Sequence, residues 1–136
     1  MADGEVDRAA IGEIVFEDRD ELVWLEQLLH PRVAREYLAW RDQLAALPDP
    51  PEVCVTEVPL LYEVGADERF DAVVLITAPK QLRIARTDVP VEQRSDRLIP
   101  DEEKAKRADF VYGNTGSLED LDGFVASVLD NLRRWP

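Results

Sequence analysis

Apolar positions recur every three or four residues through the first third of the chain and cluster in short β-branched runs after it. That change of period separates a helical beginning from a mixed remainder. Residues 5–16 read as a short helix with Ile11, Ile14 and Val15 on one side. Asp18 and Asp20 supply carboxylates able to cap a following helix, whose Leu22, Leu25, Leu28 and Leu29 keep helical spacing. His30-Pro31 is expected to break that helix, with Pro31 opening a new one that runs to about Leu47. Pro48, Pro50 and Pro51 then stop it.

Beyond the prolines, VCVTEV at 53–58 has the composition of a buried strand, as does AVVLIT at 72–77. ADFVYG at 108–113 is a third candidate. Helices are expected at about 79–86 and 91–106, and a last one at about 117–133 with Leu118, Leu121, Phe124, Val125 and Val128 on its apolar side. Strands alternating with helices imply parallel pairing in an α/β layer fold. Three strands make a thin sheet for such a fold, and the chain opens with helices where a doubly wound fold opens with a strand.

A length of 136 residues fits one domain with one core. The chain is 46% hydrophobic and 33% charged, a globular composition. No apolar run approaches the ~20 residues that span a bilayer. The opening MADGEVDR lacks the basic-then-apolar pattern of a secretory signal, so a cytoplasmic protein is expected. The formal net charge of −13 argues against nucleic acid and anionic membranes as partners. The basic residues are nevertheless uneven: 8 of the 16 lie between Lys80 and Arg107. Such a stretch suits a small polyanion, or equally a solvated helix of paired charges.

In open α/β sheets ligands sit beyond the carboxyl ends of the strands. Three segments fall there: Pro59–Glu63, the basic window, and Gly113–Ser117. Each also has an ordinary structural reading, as a core-anchored loop, a salt-bridged surface helix and a helix-capping turn. The single cysteine, Cys54, excludes an internal disulfide and sits in an apolar run where it reads as a small hydrophobe. His30 has no partner for nucleophilic catalysis, no spacing of His and Cys suits a metal, and Trp24, Trp40 and Trp135 read as packing residues. Neither GxxxxGK[ST] nor GxGxxG occurs in the chain.

Five pieces, in order, resemble the C-terminal two-thirds of the dephospho-CoA kinase family: DGEVDRAAIGEIVF at 3–16, LEQLLHPRV at 25–33, VPLLYE at 58–63, APKQLRIAR at 78–86, and IPDEEKAKRADFVYGNTGSLEDL at 99–121. VPLLYE is similar to that family's PLLFE motif, with Tyr62 in place of Phe. The resemblance implies an α/β, P-loop kinase-like (nucleoside-monophosphate-kinase-like) parallel sheet, incomplete in this chain. It implies a helical acceptor-binding region at 1–51, an α/β core at 52–78 and 108–136, and a short lid at 79–107, forming effectively one domain. It implies phosphorylation of the 3′-hydroxyl of dephospho-CoA, the last step of CoA synthesis, with ATP and Mg²⁺ required and dephospho-CoA and ATP as small-molecule ligands.

Carried over residue by residue, the resemblance makes Arg86 and Arg94 lid contacts to phosphate, places His30, Leu61 and Glu63 on the acceptor side, and sets Asn114 and Gly116 beside the adenine of ATP. It assigns no residue to metal. The family's opening strand, P-loop and acidic base have no counterpart here, and the lid is shorter, with Leu98 where a glutamine is common. The chain is therefore expected to lack an N-terminal P-loop segment and to be inactive alone. The alternatives are a non-catalytic remnant that binds CoA or adenine nucleotides, and a protein in which these segments only maintain the fold. The implied sheet order, 2-3-1-4-5, puts the P-loop strand between 53–58 and 72–77. Without it, those two runs are expected either to pair directly or to leave an exposed edge.

Overall fold

The computed structural model describes residues 6–86 and 98–135. They divide into two compact units, Met1–Thr56 and Glu57–Pro136.

The first unit is a helix pair. Asp7 starts α1 (Arg8–Glu17), its Oδ1 accepting from the amides of Ala9 at 3.1 Å and Ala10 at 3.0 Å. Asp18 then serves two helices. Its own N–H closes α1 on the Ile14 carbonyl at 3.1 Å. Its side chain caps α2 (Arg19–Ala45) by accepting from Asp20 N–H at 2.8 Å. The two helices pack together, with Val15 and Ala34 buried. One expectation is corrected here: α2 runs through Pro31 without a break. Proline removes a single backbone donor, and the sequestered positions His30, Ala34, Tyr37 and Leu38 keep the three-and-four spacing across it, so one packed stripe serves both halves.

Residues 53–58 are also corrected: they form no strand. Val55 is 80% exposed, and the boundary between the units falls inside this run. A β-branched run becomes a strand only when a neighbour takes its backbone groups.

The second unit begins with the turn Leu60–Gly65. It is closed by Val64 N–H to the Leu60 carbonyl at 3.1 Å and Ala66 N–H to the Leu61 carbonyl at 2.9 Å. Gly65 has φ of 62°, a left-handed backbone that glycine adopts without a Cβ penalty. A 3₁₀ turn at Asp67–Arg69 leads to β1 (Val74–Thr77). After α3 (Lys80–Ala85) and α4 (Asp101–Arg107) comes β2 (Phe110–Gly113), which pairs parallel with β1 in the register Val74 to Phe110 through Thr77 to Gly113. The expected helix at 91–106 is thus α4 over its last part, while residues 87–97 lie outside the described residues.

Asp109 pins the start of the ladder, its Oδ2 accepting from Val73 N–H at 2.8 Å. Asn114 N–H, bonded to the Thr77 carbonyl at 2.7 Å, extends it at the carboxyl end. The last helix, α5 (Leu118–Leu132), buries Val128 and lays Phe124 on Tyr112 with ring centres 4.8 Å apart. The architecture is α/β with a small parallel sheet, as expected of a P-loop kinase-like chain. Direct pairing of 53–58 with the strand at 72–77 is excluded. Among the described residues β1 has β2 as its sole strand neighbour, leaving its other edge open.

Candidate functional site

The carboxyl end of the sheet brings together the segments that leave its two strands. Parallel strands both end there, so the segments leaving β1 and β2 start side by side. From β1 the chain passes through Ala78 and Pro79 into α3, and from β2 it enters the turn Asn114–Ser117. Arg86, the cap residue of α3, crosses between them, its Nη1 donating to the Asn114 carbonyl at 3.2 Å. Two residues assigned to the nucleotide from sequence therefore meet. Arg86 is an exposed residue.

Gly116 lies in the turn that starts α5. Ser117 caps the helix, its Oγ accepting from Asp120 N–H at 3.2 Å, while its own amide and hydroxyl donate to Asp120 Oδ2 at 2.8 Å and 2.7 Å. The hydrogen bonds from the Ser117 hydroxyl and then its amide hold the Asp120 carboxyl below its ordinary value. A Cβ on Gly116 would stand 2.5 Å from Asp120 Oδ2, inside contact distance. Gly116→Ala is thus expected to push the carboxylate off Ser117. The Asp120 pKa then rises toward that of a free aspartate, and the first amides of α5 exchange faster. An NMR pH titration of Asp120 checks both, and an unchanged Asp120 pKa contradicts the capping account.

Glu63 sits in the Leu60–Gly65 turn, where Leu61 is half-buried and Tyr62 is buried. Its Oε1 accepts from Lys104 Nζ at 2.6 Å and from Ile99 N–H at 3.1 Å. Both side chains of the pair are 12% exposed. Burial alone would raise the Glu63 pKa, but the Lys104 ammonium, the residue's own backbone amide and the Ile99 amide outweigh it and hold the carboxyl below its ordinary range. Two residues after Ile99, at the first residue of α4, Asp101 Oδ2 lies 3.7 Å from Arg83 Nη1 of α3. Toward the other end of α4, Arg107 pairs with Asp67 at 2.7 Å and lies over the Tyr62 ring, 4.3 Å from its centre.

Three of the eight cations in the basic window are therefore paired with carboxylates: Lys104 with Glu63, Arg107 with Asp67, Arg83 with Asp101. Arg86 differs in meeting a carbonyl rather than a carboxylate. Arg94 lies outside the described residues. His30 is half-buried in the middle of α2, in the first unit. The sequence reading did not single out Lys104, Ile99 or Asp67. The signal for Lys104 was an acid tied to an apolar turn, which needs a cation when folded. Among the described residues no group of three or more His, Cys, Asp or Glu side chains is placed to hold a metal ion, and no helix is long and apolar enough to cross a membrane.

The family model described as CoaE, dephospho-CoA kinase, matches residues 1–120. The chain is 36% identical over 141 residues to a dephospho-CoA kinase of Rhodopseudomonas palustris, an alignment covering 98% of this chain and 70% of that one. It is 38% identical over 136 residues to one of Thermus thermophilus, covering 95% and 64%. It is 39% identical over 141 residues to one of Anaeromyxobacter dehalogenans, covering 96% and 64%. The chain thus spans about two-thirds of the length of these curated relatives.

Proposed function

The chain belongs to the dephospho-CoA kinase family, and from that premise we propose that it serves ATP-dependent phosphorylation of the 3′-hydroxyl of dephospho-CoA in the cytoplasm. The observation that carries this reading beyond family membership is the bridge from Arg86 to the Asn114 carbonyl. It sets the guanidinium of an exposed arginine beside the turn assigned to adenine.

Phosphoryl transfer asks a protein chiefly to position its reactants and to neutralise negative charge. Arg86 is the group that does so here, a planar fork of donors suited to phosphate oxygens. Arg94 is its proposed companion. Asn114 and Gly116 border the adenine through backbone groups, and the capping of Ser117 by Asp120 keeps that turn in one conformation. By the family assignment, His30 within residues 1–51 of the first unit is an acceptor contact; Leu61 of the second unit is separately assigned as one, and residues 79–107 are assigned to the lid. Mg²⁺ enters with ATP as part of the substrate, and no residue of this chain is assigned to it.

Titration of the 136-residue chain with ATP and with dephospho-CoA tests the reading. Saturable binding is expected for each, and no response to either at millimolar concentration overturns it. Arg86→Ala should weaken ATP about tenfold, the effect of one charge-assisted hydrogen bond, and leave dephospho-CoA affinity unchanged. Equal ATP affinity in the two proteins removes Arg86 from the phosphate contacts.

A further inference from the structure

Glu63 lies in the Leu60–Gly65 turn after apolar residues and would, by position, be a ready ligand for a substrate. Its surroundings speak otherwise. One oxygen, Oε1, is already shared by two donors, the Lys104 ammonium and the Ile99 amide, and the other, Oε2, is buried away from solvent with no hydrogen-bond partner among the described residues. Only 12% of the side chain is exposed. The two donors differ in kind. Lys104 is in the body of α4, while Ile99 lies in the segment just before it. One carboxylate thus fixes both where α4 lies and how the chain enters it.

We infer that Glu63 is a positioning residue: its carboxylate holds the amino end of α4, and α4 in turn holds α3 so that Arg86 meets the Asn114 carbonyl. Two routes join α4 to α3. Asp101 at the start of α4 pairs with Arg83 one turn before Arg86. That pair is long and half-exposed, so its share is modest. The second route is packing, since α4 lies against β1, and β1 passes into α3 through only Ala78 and Pro79. A displaced α4 therefore disturbs the base from which α3 projects. The positioning stands on the geometry of the second unit; its consequence for nucleotide rests on the function proposed above.

The test uses the full 136-residue chain. Amide exchange and the guanidinium resonances are followed by NMR in wild type, Glu63→Gln and Glu63→Ala. Gln retains a carbonyl acceptor for Ile99 but not the charge that holds Lys104. Exchange at Ile99 is expected to rise about tenfold in Glu63→Ala and less in Glu63→Gln. The Arg86 guanidinium signal should shift in both, while the Val128 amide in α5 stays as protected as in wild type. A purely local structural role for Glu63 would leave the Arg86 signal in place, and that result overturns the inference. So does unchanged Ile99 exchange in Glu63→Gln, the variant to rely on if Glu63→Ala does not fold. If these shifts appear but wild type fails to bind ATP, the positioning holds and the nucleotide reading falls.

Discussion

Lys104→Met is expected to destabilise the second unit by about 2–3 kcal/mol near neutral pH, more than any exposed charge change in the chain. The side chain that remains has similar length and still packs along α4, so the cost does not come from a cavity. It comes from Glu63. In wild type its carboxylate has an ammonium at 2.6 Å and a backbone amide at 3.1 Å. Without the ammonium, a carboxylate that is 12% exposed keeps only backbone amides as donors and its full desolvation penalty. The most exposed pairs, such as Arg133 with Asp130, are rim contacts in water and contribute little by comparison.

The pH dependence separates this explanation from a packing defect. In wild type the Glu63 pKa is held below its unfolded value. The carboxylate therefore stabilises the fold above the ordinary glutamate range, and that contribution is lost as pH falls through the folded value. In Lys104→Met the ammonium that favours ionisation is gone, so the Glu63 pKa rises relative to wild type and the carboxylate's contribution to stability shrinks. The stability gap between the two proteins should close as the medium is acidified below the ordinary glutamate pKa. Chemical denaturation at a series of pH values, followed at the Trp135 indole, measures it. A gap independent of pH would place the loss in packing instead.

That pair was not legible in the sequence, for a physical reason. Glu63 and its contacts on the approach to α4 are 36 residues apart along the chain at Ile99, and nothing local selects one cation from the eight between Lys80 and Arg107. Local signals were read well. Ser117 as a cap and the apolar spacing after it mark α5 within a residue at each end. The runs at 72–77 and 108–113 contain β1 and β2. Two local signals misled because their outcome depends on partners. Pro31 reads as a break, yet a stripe that stays in register on both sides carries α2 through it. The run at 53–58 has strand composition, but composition does not supply a neighbouring ladder. Arg86 and Asn114 were separately assigned to one ligand from family resemblance, and their contact depended on the parallel register of β1 and β2.

Tyr62 carries the other large effect, and its two variants should move in opposite directions. The residue is 6% exposed, and its ring is the platform beneath Arg107. Tyr62→Ala removes a buried aromatic and leaves a cavity under the guanidinium, at a cost of about 3 kcal/mol or more. Tyr62→Phe keeps the ring, the cation above it and the Arg107–Asp67 pair. It discards only the hydroxyl, which is buried and accepts or donates no hydrogen bond to protein. An unsatisfied buried hydroxyl is a liability, so Tyr62→Phe is expected to match wild type or exceed it by up to about 1 kcal/mol. Burial first, and then the nearby Asp67 carboxylate, raise the phenol pKa. A raised pKa makes the folded state retain its proton where the unfolded chain gives it up, so wild type loses stability as pH climbs past the ordinary phenol range. Tyr62→Phe has no such proton and should lose less in that range. Denaturation of the three proteins at neutral and at alkaline pH decides the matter. If Phe were as damaging as Ala, the hydroxyl and not the ring would be what holds this end of α4 against the Leu60–Gly65 turn.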